Sequence, residues 1–109
     1  MHSGIEAGVS VVSARGELDA FAAPDLTSCF EESDGLALLV DLTDVSFLDS
    51  TALGVIARAV RTCRERGRAA RVVLPATSAR RIFEITTLDR VLPVAGSRAS
   101  ALAELAGVD

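Results

Sequence analysis

The chain has 109 residues, half of them hydrophobic and 24% charged, which suits one core-forming domain over 1–109 and leaves little room for a second. The longest apolar run, Leu36 to Val40, falls far short of the roughly 20 residues that cross a bilayer, and the start lacks the basic-then-apolar order of a signal peptide, so a cytoplasmic protein with no membrane partner is expected. A net charge of -4, with neither Trp nor Tyr for stacking, argues against nucleic acid as a partner.

Ile5 to Ala7 and Val9 to Ala14 read as two strands meeting at a turn near Gly8, with His2 in a frayed terminus. After Gly16-Glu17-Leu18-Asp19, Pro24 suits the first turn of a helix that carries Leu26, Cys29 and Phe30 on its apolar side, and Ser33-Asp34-Gly35 ends it. Leu36 to Leu42 is an apolar run of strand length between Gly35 and Thr43-Asp44, the pattern of a strand buried on both faces. From Ser50 the apolar positions change to helical period, with Leu53, Ile56, Val60 and Cys63 on one side and Gly67 as the stop. Arg58, Arg61, Arg64 and Arg68 recur at helical spacing. They read as a solvated face rather than a phosphate-binding ridge, because all eleven basic residues are arginine, a bias expected of a G+C-rich genome.

Arg71 to Leu74 is the next strand, closed by Pro75. Thr77 or Ser78 can cap a short helix containing Ile82, Phe83 and Ile85, a strand follows at Val91 to Val94, and Ser97 can cap a last helix with Leu102 and Leu105 inward. The order β-β-α-β-α-β-α-β-α predicts an α/β domain, with a mixed, mostly parallel sheet of four to five strands and about four helices packed against it. Cys29 and Cys63, with one His and no C-x-x-C, read as small apolar core residues. No metal or cofactor is expected.

The junction Asp49-Ser50-Thr51 carries the chemistry. The first N–H groups of a helix lack partners and its N-terminus carries partial positive charge, so Asp49 or Ser50 serves as an N-cap without any further function. Alternatively Ser50 accepts a phosphate, which places about 1.5 to 2 negative charges beside Asp49 at a docking surface. A nucleophilic role lacks its parts. The only His is at position 2, and neither G-x-S-x-G nor a P-loop is present.

Gly16-Glu17-Leu18-Asp19, Val40-Asp41-Leu42, Val45-Ser46-Phe47-Leu48-Asp49-Ser50-Thr51 and Leu53-Gly54 with Arg58 together resemble the STAS domain of bacterial anti-sigma factor antagonists. Arg80-Arg81-Ile82-Phe83 and Leu88 with Val91 are similar to the third helix and final strand of that family. The resemblance implies a STAS-like fold and a non-enzymatic partner switch: the unmodified antagonist binds an anti-sigma factor that is also a serine kinase, releasing a sigma factor. Phosphorylation ends the binding and a protein serine phosphatase restores it. Ser50 matches the phosphorylated position, with Thr51 as the alternative acceptor; Asp19, Asp49, Ser50, Thr51, Leu53, Gly54 and Arg58 match the partner-binding surface. Ala52 stands where the family most often has Gly, and its methyl is expected to add bulk on the partner side. A constitutive STAS scaffold in a transporter or signalling complex is the alternative function.

Overall fold

In the computed structural model, residues 1–33, 37–74 and 94–106 are described. Ala7 and Gly8 both take positive φ, 51° and 80°, the two left-handed positions of the tight hairpin turn whose twist suits flanking strands. They join β1 (His2–Glu6) to β2 (Val9–Leu18), which pair antiparallel from Glu6 opposite Val9 to His2 opposite Ser13. His2 is therefore a strand residue, in contrast to the frayed end expected of it, because the first strand extends beyond its one large apolar residue, Ile5. α1 follows (Ala23–Glu31) with Pro24 in its first turn, where a missing N–H costs nothing.

β3 (Ala37–Leu48) has 12 residues and runs six positions beyond Leu42, the end its apolar run predicts. Its pairing with β2 is parallel and shifts register twice, between Ser13↔Asp41 and Arg15↔Asp44 and again between Gly16↔Val45 and Glu17↔Phe47. Each shift places one extra residue in β3, the mark of a bulge. Inward positions consequently fall at Leu42, Val45 and Leu48, all buried, spaced by three instead of two. A strict period-2 reading stops at Leu42 for that reason.

α2 (Ser50–Glu65) buries Ala52, Leu53, Ile56, Val60 and Cys63, the predicted stripe. It ends in a Schellman motif: Gly67, at φ 72°, donates to the Arg64 carbonyl at 2.9 Å and Arg68 donates to Cys63 at 3.0 Å, so the last carbonyls are satisfied by backbone. β4 (Ala70–Val73), β5 (Val94–Ala95) and α3 (Arg98–Leu105) complete the described elements. Ser97 caps α3 as expected, accepting from the Ser100 N–H.

The five-stranded sheet has order β1-β2-β3-β4-β5. Its first pair is antiparallel and the other three are parallel, the mixed, mostly parallel sheet predicted. α1 and α2 cover one face, where Leu26, Leu53, Ile56 and Val60 meet Val12, Leu38, Val40, Leu42 and Val45. α3 lies on the other, over Val9, Val11, Leu39, Val73 and Ala95. Three helices are described; the expected helix at Ile82 to Ile85, its Thr77 or Ser78 cap and most of the strand at Val91 to Val94 lie outside the described residues.

Candidate functional site

Parallel pairing carries β2 and β3 to the same end of the sheet. Leu18 stands beside Leu48, and the Asp49 N–H donates to the Leu18 carbonyl at 3.1 Å. The turn before α1 and the start of α2 are thus bound to each other. Asp49 is extended, at φ -97° and ψ 174°, and its Oδ1 accepts from the Ala52 N–H at 2.9 Å while its carbonyl accepts from Leu53 at 3.1 Å. Of the two predicted candidates, Asp49 is the N-cap.

Ser50 and Thr51 then occupy the first two helical positions, both exposed. No other acidic residue lies in the first turn of α2, so the partial positive charge of the helix start is opposed by the Asp49 carboxylate alone. Since Asp49 does the capping, the Ser50 hydroxyl is not needed as the N-cap.

Asp19 organises the neighbouring loop. Its Oδ1 accepts from the N–H groups of Phe21 at 3.0 Å and Ala22 at 3.2 Å, and its carbonyl accepts from Ala22 and Ala23 at 3.0 and 3.1 Å. This is an Asx turn that starts α1. Asp19, expected on the partner surface, has its carboxylate occupied in holding the turn that leads into α1.

The remaining predicted residues separate by depth. Gly54 and Arg58 are exposed on α2. A Cβ at Gly54 would meet nothing within 4 Å, so packing does not require glycine there, although it costs a helix interior about 1 kcal/mol relative to Ala. A bare backbone at an exposed position suits close approach by another molecule. Leu53, in contrast, is 5% exposed and packs in the core with Ala52, so both shape the site from beneath. The expectation that the Ala52 methyl adds bulk on the partner side is overturned: the side chain is fully buried, because position 52 falls on the core stripe of α2.

Two aromatic residues at this end were not singled out from sequence. Phe21 is 93% exposed in the Asp19 turn, and Phe47 is 50% exposed beside Glu17 at the end of β3. Large apolar side chains so exposed next to a helix start are characteristic of an interaction surface. The available signal was the large Phe21 side chain among the alanines between Asp19 and Pro24; Phe47 is hidden by the broken alternation of β3.

His2 pairs opposite Ser13, five residues of strand from Leu18, about 17 Å at the usual rise. Among the described residues, no group of three or more His, Cys, Asp or Glu is arranged to hold a metal ion, and no helix is long and apolar enough to cross a membrane. Both cysteines are free, Cys63 buried and Cys29 half-buried. Burial pushes the Cys63 thiol pKa up, against the opposing pull of Arg68, Arg66 and Arg64.

The chain is similar to known proteins over most of its length. It is 39% identical over 84 residues to an anti-sigma-B factor antagonist of Listeria monocytogenes, a match covering 72% of each protein. The crystal structure of an anti-sigma factor antagonist from Mycobacterium paratuberculosis shares the fold with a TM-score of 0.85 and 30% identity, covering 95% of this chain and 91% of that one. At greater distance, the Bacillus cell fate determinant SpoIIAA in its phosphorylated form has the same fold, with a TM-score of 0.66 at 16% identity over 94% of this chain and 96% of its own. Residues 4–101 match the STAS domain model, and with the parallel β2–β3 pair delivering Asp49-Ser50-Thr51 to the start of α2, the chain belongs to the STAS domain family.

Proposed function

We propose that this protein is an anti-sigma factor antagonist that works as a partner switch and not as an enzyme. Its unmodified form binds an anti-sigma factor that is also a serine kinase, releasing a sigma factor. Phosphorylation of Ser50 ends the binding, and a protein serine phosphatase reverses it. Thr51, the adjacent exposed hydroxyl, is the alternative acceptor.

One observation carries the reading. Asp49 caps α2, and Ser50 stands exposed beside it, so a phosphate can be added without removing any hydrogen bond that holds the fold. The helix start favours the added anion by about 0.3–1 kcal/mol, while the adjacent carboxylate and the new bulk change the surface a partner meets. Asp19, Asp49, Thr51, Gly54 and Arg58 make up that surface, with Leu53 supporting it from below. The names of the relatives support the same partner class.

Incubation with the cognate kinase and ATP, followed by mass spectrometric mapping, is expected to place the phosphate on Ser50; phosphate only elsewhere rejects the assignment. Ser50→Ala should retain binding and resist switching, whereas Ser50→Asp should weaken binding by roughly tenfold or more, about 1.4 kcal/mol. Equal affinities for the two variants would leave a constitutive scaffold as the better description.

A further inference from the structure

β1 is an outer strand of the sheet: β2 lies on one side of it and, among the described residues, no strand lies on the other. The turn that follows decides which of its backbone groups face that open side. Ala7 and Gly8 are the central residues of the turn, so its closing hydrogen bond joins Glu6 and Val9. Bonded pairs alternate along an antiparallel ladder, and the next ones are Gly4 with Val11 and His2 with Ser13. The N–H and C=O groups of Ser3 and Ile5 therefore point away from β2.

This edge lacks the usual guards. Outer strands are commonly protected by lysine, proline or a bulge; β1 contains neither residue, and its register with β2 is unbroken. Ile5 is 62% exposed. Gly4 occupies the middle of the strand, where glycine weakens strand formation. A Cβ there would meet nothing within 4 Å, so the packing of one copy does not call for it. A bare position inside a strand suits the close approach of another backbone.

We propose that β1 pairs antiparallel with β1 of a second copy of this chain, about a two-fold axis at Gly4. In this register Ser3 stands opposite Ile5 of the second copy, and the two exchange both hydrogen bonds; the symmetric pair does the same, so all four outward groups of each strand are used. Gly4 meets Gly4 in a non-hydrogen-bonded pair, where the Cα atoms approach to about 4.5 Å. Charge selects the same register. His2, which makes no ion pair among the described residues, falls opposite Glu6 of the second copy. Glu6 Oε1 accepts from Arg98 of its own copy, and its other oxygen can accept from the imidazole N–H. Centring on Ser3 or Ile5 instead sets Gly4 opposite His2 or Glu6 and loses both contacts. Ser50 follows β3, two strands away from this edge, and the pairing does not depend on its phosphorylation. Two five-residue strands make a small interface, so a reversible dimer with a dissociation constant on the order of 0.1 mM is expected.

The test is sedimentation equilibrium of the full chain, in which the average mass should rise with concentration toward twice the monomer's. Ile5→Pro removes only an outward N–H and leaves the bonds to β2 in place, and it should abolish the rise. His2→Glu sets like charges opposite each other at two contacts per dimer and should weaken association about tenfold. Gly4→Cys should yield a disulfide-linked dimer on oxidation, because the expected Cα separation falls in the disulfide range, with mass spectrometry identifying the two introduced thiols as the linkage. His2 and Gly4 are exposed, so their variants stand as tests even where Ile5→Pro fails to fold. A monomeric mass at about 1 mM, association unchanged in folded Ile5→Pro or in His2→Glu, or linkage through Ile5→Cys in preference to Gly4→Cys would each overturn the assignment.

Discussion

On one face of the sheet, α1 and α2 set Leu26, Leu53, Ile56 and Val60 against Val12, Val40, Leu42 and Val45; on the other, α3 contributes Ala101 as its one fully covered side chain. What α3 lacks in apolar area it replaces with charge. The Arg98 guanidinium donates to Asp41 Oδ2 at 3.2 Å, to the Ser13 hydroxyl at 3.1 Å and to Glu6, and Arg71 pairs with Glu104 at 2.9 Å. Desolvation opposes the charge on Arg98, but its hydrogen bonds to Glu6 and Asp41 prevail and hold its pKa above the ordinary arginine value. The proposed switch at Ser50 sits on the face held by non-directional packing. An added charge there leaves the core contacts intact, whereas on the α3 face it would meet an ion-pair network directly.

If that contrast is right, truncation on the helical-pair face should be the more costly. Ile56 is fully buried in the larger cluster, and Ile56→Ala is expected to lower unfolding free energy by about 2–5 kcal/mol, read from urea denaturation. Asp41→Ala comes next, at about 1–3 kcal/mol. Asp41 is 9% exposed and accepts from the Thr43 N–H at 3.0 Å as well as from Arg98, so its loss frees a bulge donor and one of the three Arg98 acceptors together. Hydrogen exchange should quicken first in α3. A larger cost for Asp41→Ala than for Ile56→Ala would reverse the comparison.

Features set by neighbours in sequence were legible before the structure. The turn near Gly8, Pro24 in the first turn of α1, the stripe Leu53-Ile56-Val60-Cys63, the Gly67 stop and the Ser97 cap all follow from local dihedral and hydrogen-bonding rules, although Ala7, expected in the first strand, joins Gly8 in the turn. Asp49 or Ser50 was identified as the cap, and geometry selected Asp49. What was not legible depends on partners distant in the chain. The two bulges of β3 arise from its pairing with β2, and with them the exposure of Phe47. Arg98 meets Asp41 across 57 residues, and no spacing rule announces such a pair. Ala52 differs from these: it lies four residues before Ile56 on the legible core stripe of α2, and the expectation of partner-side bulk came from the family pattern, which does not say which way a side chain points.

The smallest expected effect is the most diagnostic of charge. The Arg71–Glu104 pair ties α3 to β4 with side chains 34% and 51% exposed, and solvent at that exposure screens most of the attraction. Glu104→Gln should therefore cost only about 0.2–1 kcal/mol at low ionic strength. The difference from wild type should vanish near 1 M salt, where the screening length falls to about 3 Å. Ile56→Ala, whose cost is packing, should keep its full deficit under the same conditions. Measuring both variants across a salt series separates the two faces by mechanism instead of magnitude: a Glu104→Gln deficit that persists at high salt would mean that α3 is held by packing around the Arg71 and Glu104 side-chain stems, and that the two faces differ in size alone.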